Sequence, residues 1–174
     1  FASDVSQTLI YIAETKYPTK HIKYSNRDGA DFRKLHKNSF DLVIMNLSIS
    51  YVDDVSRLLK GVNRILKPGG RFIYSVDHPL KYSAYADFGK SNFDHAQYEI
   101  KQYLKQRRKV AHNHWTGEKN LNIFVRPLSF YINSCGKAGL LTRNICEPVT
   151  VAEFREKKVS TKIPFKIICE TVKT

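Results

Sequence analysis

"NSFDLVIMNLSISYVDDVSRLLKGVNRILKPGGRFIYSVDHP", residues 38–79, decides the fold. It opens with a continuous apolar run within 40–49, which reads as a strand buried on both faces, as in a parallel sheet. A helix follows from Asp54 to Leu66, with Asp53 as its cap. Val55, Leu58, Leu59, Val62, Ile65 and Leu66 recur at helical spacing and form one apolar stripe. Pro68 forbids the helix to continue, and Gly69 and Gly70 permit backbone angles closed to other residues. The chain therefore turns into a second strand, "RFIYSV" at 71–76. Strand, helix, turn and strand make a βαβ crossover with the two strands parallel.

Outward from this unit, "SQTLIYIAETK" (6–16) reads as a helix capped by Ser6, with Leu9, Ile10, Ile12 and Ala13 on its apolar side. "HIKYS" (21–25) alternates as a short strand does. Residues 80–125 are polar and aromatic with weak periodicity, and they read as a lid inserted over one end of the sheet. Within the lid, 95–106 has a helical pattern, and "KVAHNHW" and "LNIFVR" suit a hairpin. A helix from Ser129 to Ala138 ends at Gly139, and two terminal strands follow, "LLTRNICEP" and "IPFKIICETVKT". The fold class is α/β, one domain over 1–174: a mostly parallel sheet with antiparallel C-terminal strands.

Composition narrows the functions. The chain carries 29 Lys and Arg against 16 Asp and Glu, a net charge of +13 that favours anionic partners. Lys, Asn, Tyr and Ile are spread along the whole chain, and only 101–109 concentrates basic residues. A nucleic-acid partner is thus a secondary expectation. No apolar run approaches the roughly 18 residues that span a bilayer, so no membrane partner is expected. Cys135, Cys146 and Cys169 lack metal-ligand spacing and read as buried thiols of a reducing, cytoplasmic compartment. His112 and His114 lack further ligands, and no metal site is expected.

Taken in order, these segments resemble a class I S-adenosylmethionine-dependent methyltransferase of the small-molecule type. The F-D-hydrophobic strand, the helix ending in L-K-P-G-G and the next strand match that family. "SDVSQTLIYIAE" is similar to its second strand end and following helix, and "NRDGADF" to its G-D-A-x-x-L segment. "VRPLSFYINSCGKAGLLTRNICEP" is similar to its terminal R-P-L-S-x-Y…A-G-F…E-P part. The resemblance implies S-adenosyl-L-methionine as cofactor and a Rossmann-like sheet. Asp4 then accepts the two ribose hydroxyls, a task suited to a forked carboxylate. Asp28 accepts from the adenine amino group, the Gly29 backbone faces the ring, and Asn46 and Leu47 lie near the methionine portion. Each also has a plain structural reading: a helix-start carboxylate for Asp4, a turn pair for Asp28 and Gly29, a satisfied strand-end amide for Asn46.

Two departures qualify the resemblance. Ser50 and Tyr51 stand where relatives often carry two histidines, so no base is inferred there. The family's first strand and glycine-rich loop would precede Phe1, and no later segment replaces them. That strand is central, so the fold is expected to be incomplete at its N-terminus and these residues alone to be inactive.

His78 leaves the strand 71–76 at the carboxyl end, where ligands of open α/β sheets sit. It is the candidate to contact the acceptor or take its proton, or else to hydrogen-bond the lid backbone. Tyr82, Tyr85, Phe88, Phe93, Tyr98 and Trp115 either close over an acceptor or pack on the sheet, and Arg126 either meets an acidic substrate group or a neighbouring Asp. The expected function is methyl transfer to a small molecule. An RNA methyltransferase and a degenerate, non-catalytic relative are the alternatives.

Overall fold

Helix α2 (Val55–Ile65) organises the molecule. Its stripe, Val55, Leu58, Leu59, Val62 and Ile65, is buried. Asp54, one residue later than expected, is its cap and accepts the Arg57 N–H at 2.9 Å. Asp53 is released from that duty. The computed structural model describes residues 1–80, 102–111, 121–148, 164 and 166–174. In chain order its further elements are β1 (Ala2–Asp4), α1 (Gln7–Lys16), β2 (Tyr24–Asn26), β3 (Phe40–Asn46), a 3-10 turn (Ile49–Tyr51) and β4 (Leu66–Asp77). After these come β5 (Arg107–Ala111), β6 (Leu121–Val125), α3 (Leu128–Lys137), β7 (Leu140–Cys146) and β8 (Lys166–Lys173). The helix expected over 95–106 falls largely outside the described residues, as do the lid aromatics named above, His112, His114 and the connection between β7 and β8.

β3 and β4 pair in parallel, Asn46 opposite Ser75, as the crossover requires. β8 lies antiparallel to β4, and β7 antiparallel to β8, so this sheet runs β3-β4-β8-β7. Pro68, Gly69 and Gly70 do not form a separate turn. They are extra residues folded into β4, where the register jumps from Phe40–Leu66 to Leu42–Arg71. Gly69 sits at φ +73°, and a Cβ on Gly70 would come within 2.8 Å of the Lys67 carbonyl, so the bulge requires both glycines.

Phe72, Tyr74 and Val76 of β4 meet the α2 stripe, Tyr131 and Cys135 of α3, and Leu140, Ile167 and Cys169 in one buried cluster. Tyr74 stacks on Phe72 at 5.2 Å and its hydroxyl receives the Cys135 thiol at 3.8 Å. Lys173 fastens the last strand to the end of α2, its Nζ donating to the carbonyls of Asn63 and Leu66, both at 2.7 Å. Ser6 caps α1 as expected, but only Ile10 of its apolar side is buried. The terminal strands form as expected, whereas β5 and β6 pair with Ala111 opposite Leu121, and the first strand starts earlier than "KVAHNHW", whose last four residues lie outside the described ones. β2 begins at Tyr24, later than its sequence pattern implied.

Two features differ from the expectation of a strand buried on both faces at β3. Leu42 is 37% and Ile44 63% exposed, and Leu141 and Ile168 are exposed on the same face of the sheet. In addition, β1 and β2 pair in parallel as a separate two-stranded sheet, and no described strand occupies the outer edge of β1 or of β3.

Gly61 of α2 lies against the Phe32 ring, with no room for a Cβ. Gly61→Ala should therefore cost about 1–3 kcal/mol in denaturant unfolding, despite alanine's better helix propensity. The cysteines are free, Cys135 and Cys169 buried and Cys146, contrary to expectation, exposed. Burial pushes the Cys135 thiol up to about 11 and Cys169 up as well. The folded state thus favours the protonated thiols. That contribution is complete below the ordinary thiol range and is lost as pH climbs through the raised values. At mildly alkaline pH a thiol reagent should label Cys146 at once and the other two only on unfolding, as mass spectrometry would count.

Candidate functional site

Parallel pairing aligns the carboxyl ends of β1 and β2, which brings Asp4 opposite Asn26. The Arg27 N–H donates to the Asp4 carbonyl at 2.9 Å, and the Asn26 amide donates to the carbonyls of Asp4 and Val5 at 3.1 and 2.9 Å. Asp4 is half-buried, and its Oδ1 accepts the Ser6 N–H at 2.8 Å, at the start of α1. Its helix-start role is therefore present. Asp28 and Gly29 are exposed just beyond β2. Asp28 Oδ1 accepts the Ala30 N–H at 2.9 Å and its carbonyl accepts Asp31 N–H at 2.9 Å, a tight turn that leaves open space beside Gly29. These two acids end adjacent strands and belong to one rim.

The end of β3 carries the second part of the site. Ser75 Oγ donates to Asn46 Oδ1 at 2.6 Å while accepting the Leu47 N–H at 2.9 Å. Leu47 sits at φ +56°, a left-handed conformation that a branched residue adopts only when its surroundings impose it. Ser75 imposes it from the neighbouring strand. Of the exposed Asn46 amide, the oxygen is thereby held at the strand end. Sequence reasoning passed over Ser75, although the parallel register of the βαβ unit, which sets it opposite Asn46, was the available signal.

His78 is 5% exposed at the end of β4. Its Nδ1 accepts the Leu80 N–H at 3.1 Å, so Nε2 carries the proton of the neutral ring and donates it to Glu147 Oε1 at 2.9 Å. Both ring nitrogens are engaged within the protein, and the bond to Glu147 joins the ends of β4 and β7. Of the two roles its position permits, this geometry supplies the backbone-holding one. Tyr74, beneath this rim, has its hydroxyl pushed far up by burial and is not an acid–base group near neutral pH. Among the described residues no cluster of His, Cys, Asp and Glu suits a metal ion, and no helix is long and apolar enough to cross a membrane.

Residues 1–74 match the family described as "Methyltransferase domain". An S-adenosylmethionine dependent methyltransferase from Mesorhizobium loti superposes with a TM-score of 0.79 at 26% identity, covering 98% of this chain and 78% of that one. A chain from Listeria monocytogenes gives 0.81 at 20% identity, covering 99% and 78%. The protein thus has the class I, Rossmann-like methyltransferase fold. The human relative named "Arginine-hydroxylase NDUFAF5, mitochondrial" is 34% identical over 74 residues, 42% of this chain and 20% of its own length. Uncharacterized protein YafE of Escherichia coli is 35% identical over 86 residues, 46% of this chain and 42% of its own length. The chain therefore spans less than half of these curated relatives.

The Ser75 hydroxyl bridges two strands with two hydrogen bonds. Ser75→Ala should lower stability by about 1–3 kcal/mol and speed amide exchange at Leu47 more than at residues remote from the rim, measurable by hydrogen exchange.

Proposed function

We propose that this chain is the greater part of a methyltransferase domain that uses S-adenosyl-L-methionine to methylate a small-molecule acceptor. The observation that carries the reading is the rim of strand ends: Asp4 at the end of β1, Asp28 in the turn after β2, and the strained Leu47 beside Asn46 of β3. Strand ends in open α/β sheets are where ligands bind, and strain there is a mark of a site. The donor set fits the cofactor. Asp4 retains a forked carboxylate for a ribose diol, and Asp28 has its carboxylate at the exposed turn where an adenine edge would meet it. Gly29 leaves the backbone approachable, and the αL turn at Leu47 directs backbone groups along the rim.

When bound, S-adenosylmethionine supplies a methyl group already activated by its sulfonium. The chain's task is then alignment and exclusion of water more than acid–base work. This suits a His78 committed to Glu147 and Leu80, and we assign it the positioning of the rim between β4 and β7.

We further propose that the domain is completed by a strand with a glycine-rich loop, and a covering helix, N-terminal to β1. Three features support this. The parallel sheet is divided between β1 and β3, one face of β3, β8 and β7 leaves Leu42, Ile44, Ile168 and Leu141 exposed, and α1 buries only one of its apolar residues. Parallel sheets are otherwise covered on both faces. The same segment would bring the cofactor's methionine portion against the backbone. The lid over 80–125, the cytoplasmic compartment and the preference for a small molecule over RNA belong to this reading too. The human relative is named as a mitochondrial arginine-hydroxylase, so hydroxylation is the rival chemistry.

Residues 1–174 expressed alone should show no saturable binding of S-adenosylmethionine at micromolar concentration by calorimetry, whereas the protein with its upstream segment should bind. Asp4→Ala in that longer protein should weaken binding roughly tenfold to a hundredfold, as loss of charge-assisted hydrogen bonds does. Saturable micromolar binding by the short form would overturn the incomplete-sheet proposal. Product mass then separates the chemistries: a gained methylene unit supports methyl transfer, and a gained oxygen excludes it.

A further inference from the structure

A cavity of about 320 Å³ lies between the β5–β6 hairpin, the start of α3 and the loop before α2. Asp53, Arg107, Arg108, Phe124, Arg126 and Phe130 line it, three cations against one carboxylate. Arg126 is its most unusual member. The side chain is only 6% exposed, and its guanidinium lies over two rings, Phe124 at 4.7 Å and Phe130 at 5.0 Å. Nη2 donates to the Asp53 carbonyl at 2.8 Å, whereas Nη1 is buried with no hydrogen-bond partner among the described residues.

A buried cation with an unused donor is costly unless something completes its shell. The two aromatic faces hold it flat and offset part of that cost, but they accept no hydrogen bond in the plane of the guanidinium. Burial draws the Arg126 pKa downward, and the nearby Tyr131 hydroxyl and Asp53 carboxylate offset part of that shift. Helix α3 begins at the next residues with Pro127 as a cap that offers no side-chain acceptor and with no acid in its first turn. Its N-terminal dipole therefore adds positive potential near Arg126. β6, which contributes Phe124 to the cavity, packs on the 3-10 turn that begins two residues after the strained Leu47.

We propose that this cavity anchors the methyl acceptor and takes a carboxylate carried on a small apolar or aromatic scaffold. The assignment as acceptor subsite rests on the methyl-transfer reading; the anion subsite itself does not. A carboxylate on an aromatic scaffold suits a cavity lined by Arg107, Arg108 and Arg126 together with the Phe124 and Phe130 rings, and the cavity has the volume of a small-molecule site. An RNA backbone would instead call for an extended basic groove. In β5 the basic run is divided by strand alternation, with Arg107 and Lys109 half-buried and Arg108 exposed.

The test uses the full-length protein, with benzoate as probe and benzamide as its neutral isostere, followed by calorimetry or ligand-detected NMR. Benzoate should bind at least tenfold more tightly than benzamide. Arg126→Gln should abolish that difference, and Arg126→Lys should restore only part of it, because an ammonium lacks the planar fork. S-adenosylmethionine binding should remain in each variant, which also reports folding. Should Arg126→Gln fail to fold, Arg108→Gln alters an exposed residue of the same cavity and should weaken benzoate about threefold, in the range of a surface ion pair. Equal binding of benzoate and benzamide, or a preference that survives Arg126→Gln, would overturn the proposal. So would inorganic phosphate or a short single-stranded RNA that binds more tightly than benzoate and is lost with Arg126. Benzoate binding without any binding of S-adenosylmethionine would keep the anion subsite and reject the methyl-transfer reading.

Discussion

The parallel pairing of β3 with β4 is the constraint on which everything else depends. Parallel neighbours cannot be joined by a tight turn, so α2 must cross over, and its apolar stripe must meet the face of β4 that carries Phe72, Tyr74 and Val76. The same pairing sets Ser75 opposite Asn46 and so creates the hydrogen bonds that hold Leu47 in a left-handed turn. A one-residue slip in that register would send Tyr74 to the outer face and separate Ser75 from the rim. Core and candidate site are thus specified by one set of backbone bonds.

β4 carries this load because it is central: β3 on one side, β8 on the other. The Pro68-Gly69-Gly70 bulge absorbs the extra residues between the end of α2 and the paired strand without breaking the ladder. Lys173 returns from the far end of β8 to the last carbonyls of α2, so the C-terminal strand also seals the helix that made the crossover possible. The exposed face bearing Ile44 and Leu141 contrasts with the dense cluster on the other side. Among the described residues one face of the sheet is packed, and the other leaves these apolar side chains exposed.

Much of this was legible in residue order. The stripe from Val55 to Ile65, the Pro-Gly-Gly stop, the helix ending at Gly139 and the strands within "LLTRNIC" and "KIICETVK" declare themselves through period and punctuation. The placing of Asp4, Asp28 and Asn46 at one rim came from the resemblance to the methyltransferase family, not from period. Less visible were features that require two distant segments at once. Asp54 rather than Asp53 became the α2 cap, while the Asp53 carbonyl was left for Arg126, a choice between adjacent acids that local pattern does not rank. The β3 run looked buried on both faces because hydrophobicity reports what a strand prefers, not whether a covering layer is supplied.

By itself, the sequence determined element type, chain order and the βαβ handedness. Each of these is set by local sterics and by hydrophobic period, which act over a few residues. Tertiary structure alone decided the roles. It committed both nitrogens of His78, gave Leu47 its strained turn through a hydroxyl 28 residues away, and placed Arg126 against two rings and the Asp53 carbonyl. A side chain's chemistry depends on which groups solvate it once water is removed, and those groups come from other parts of the chain.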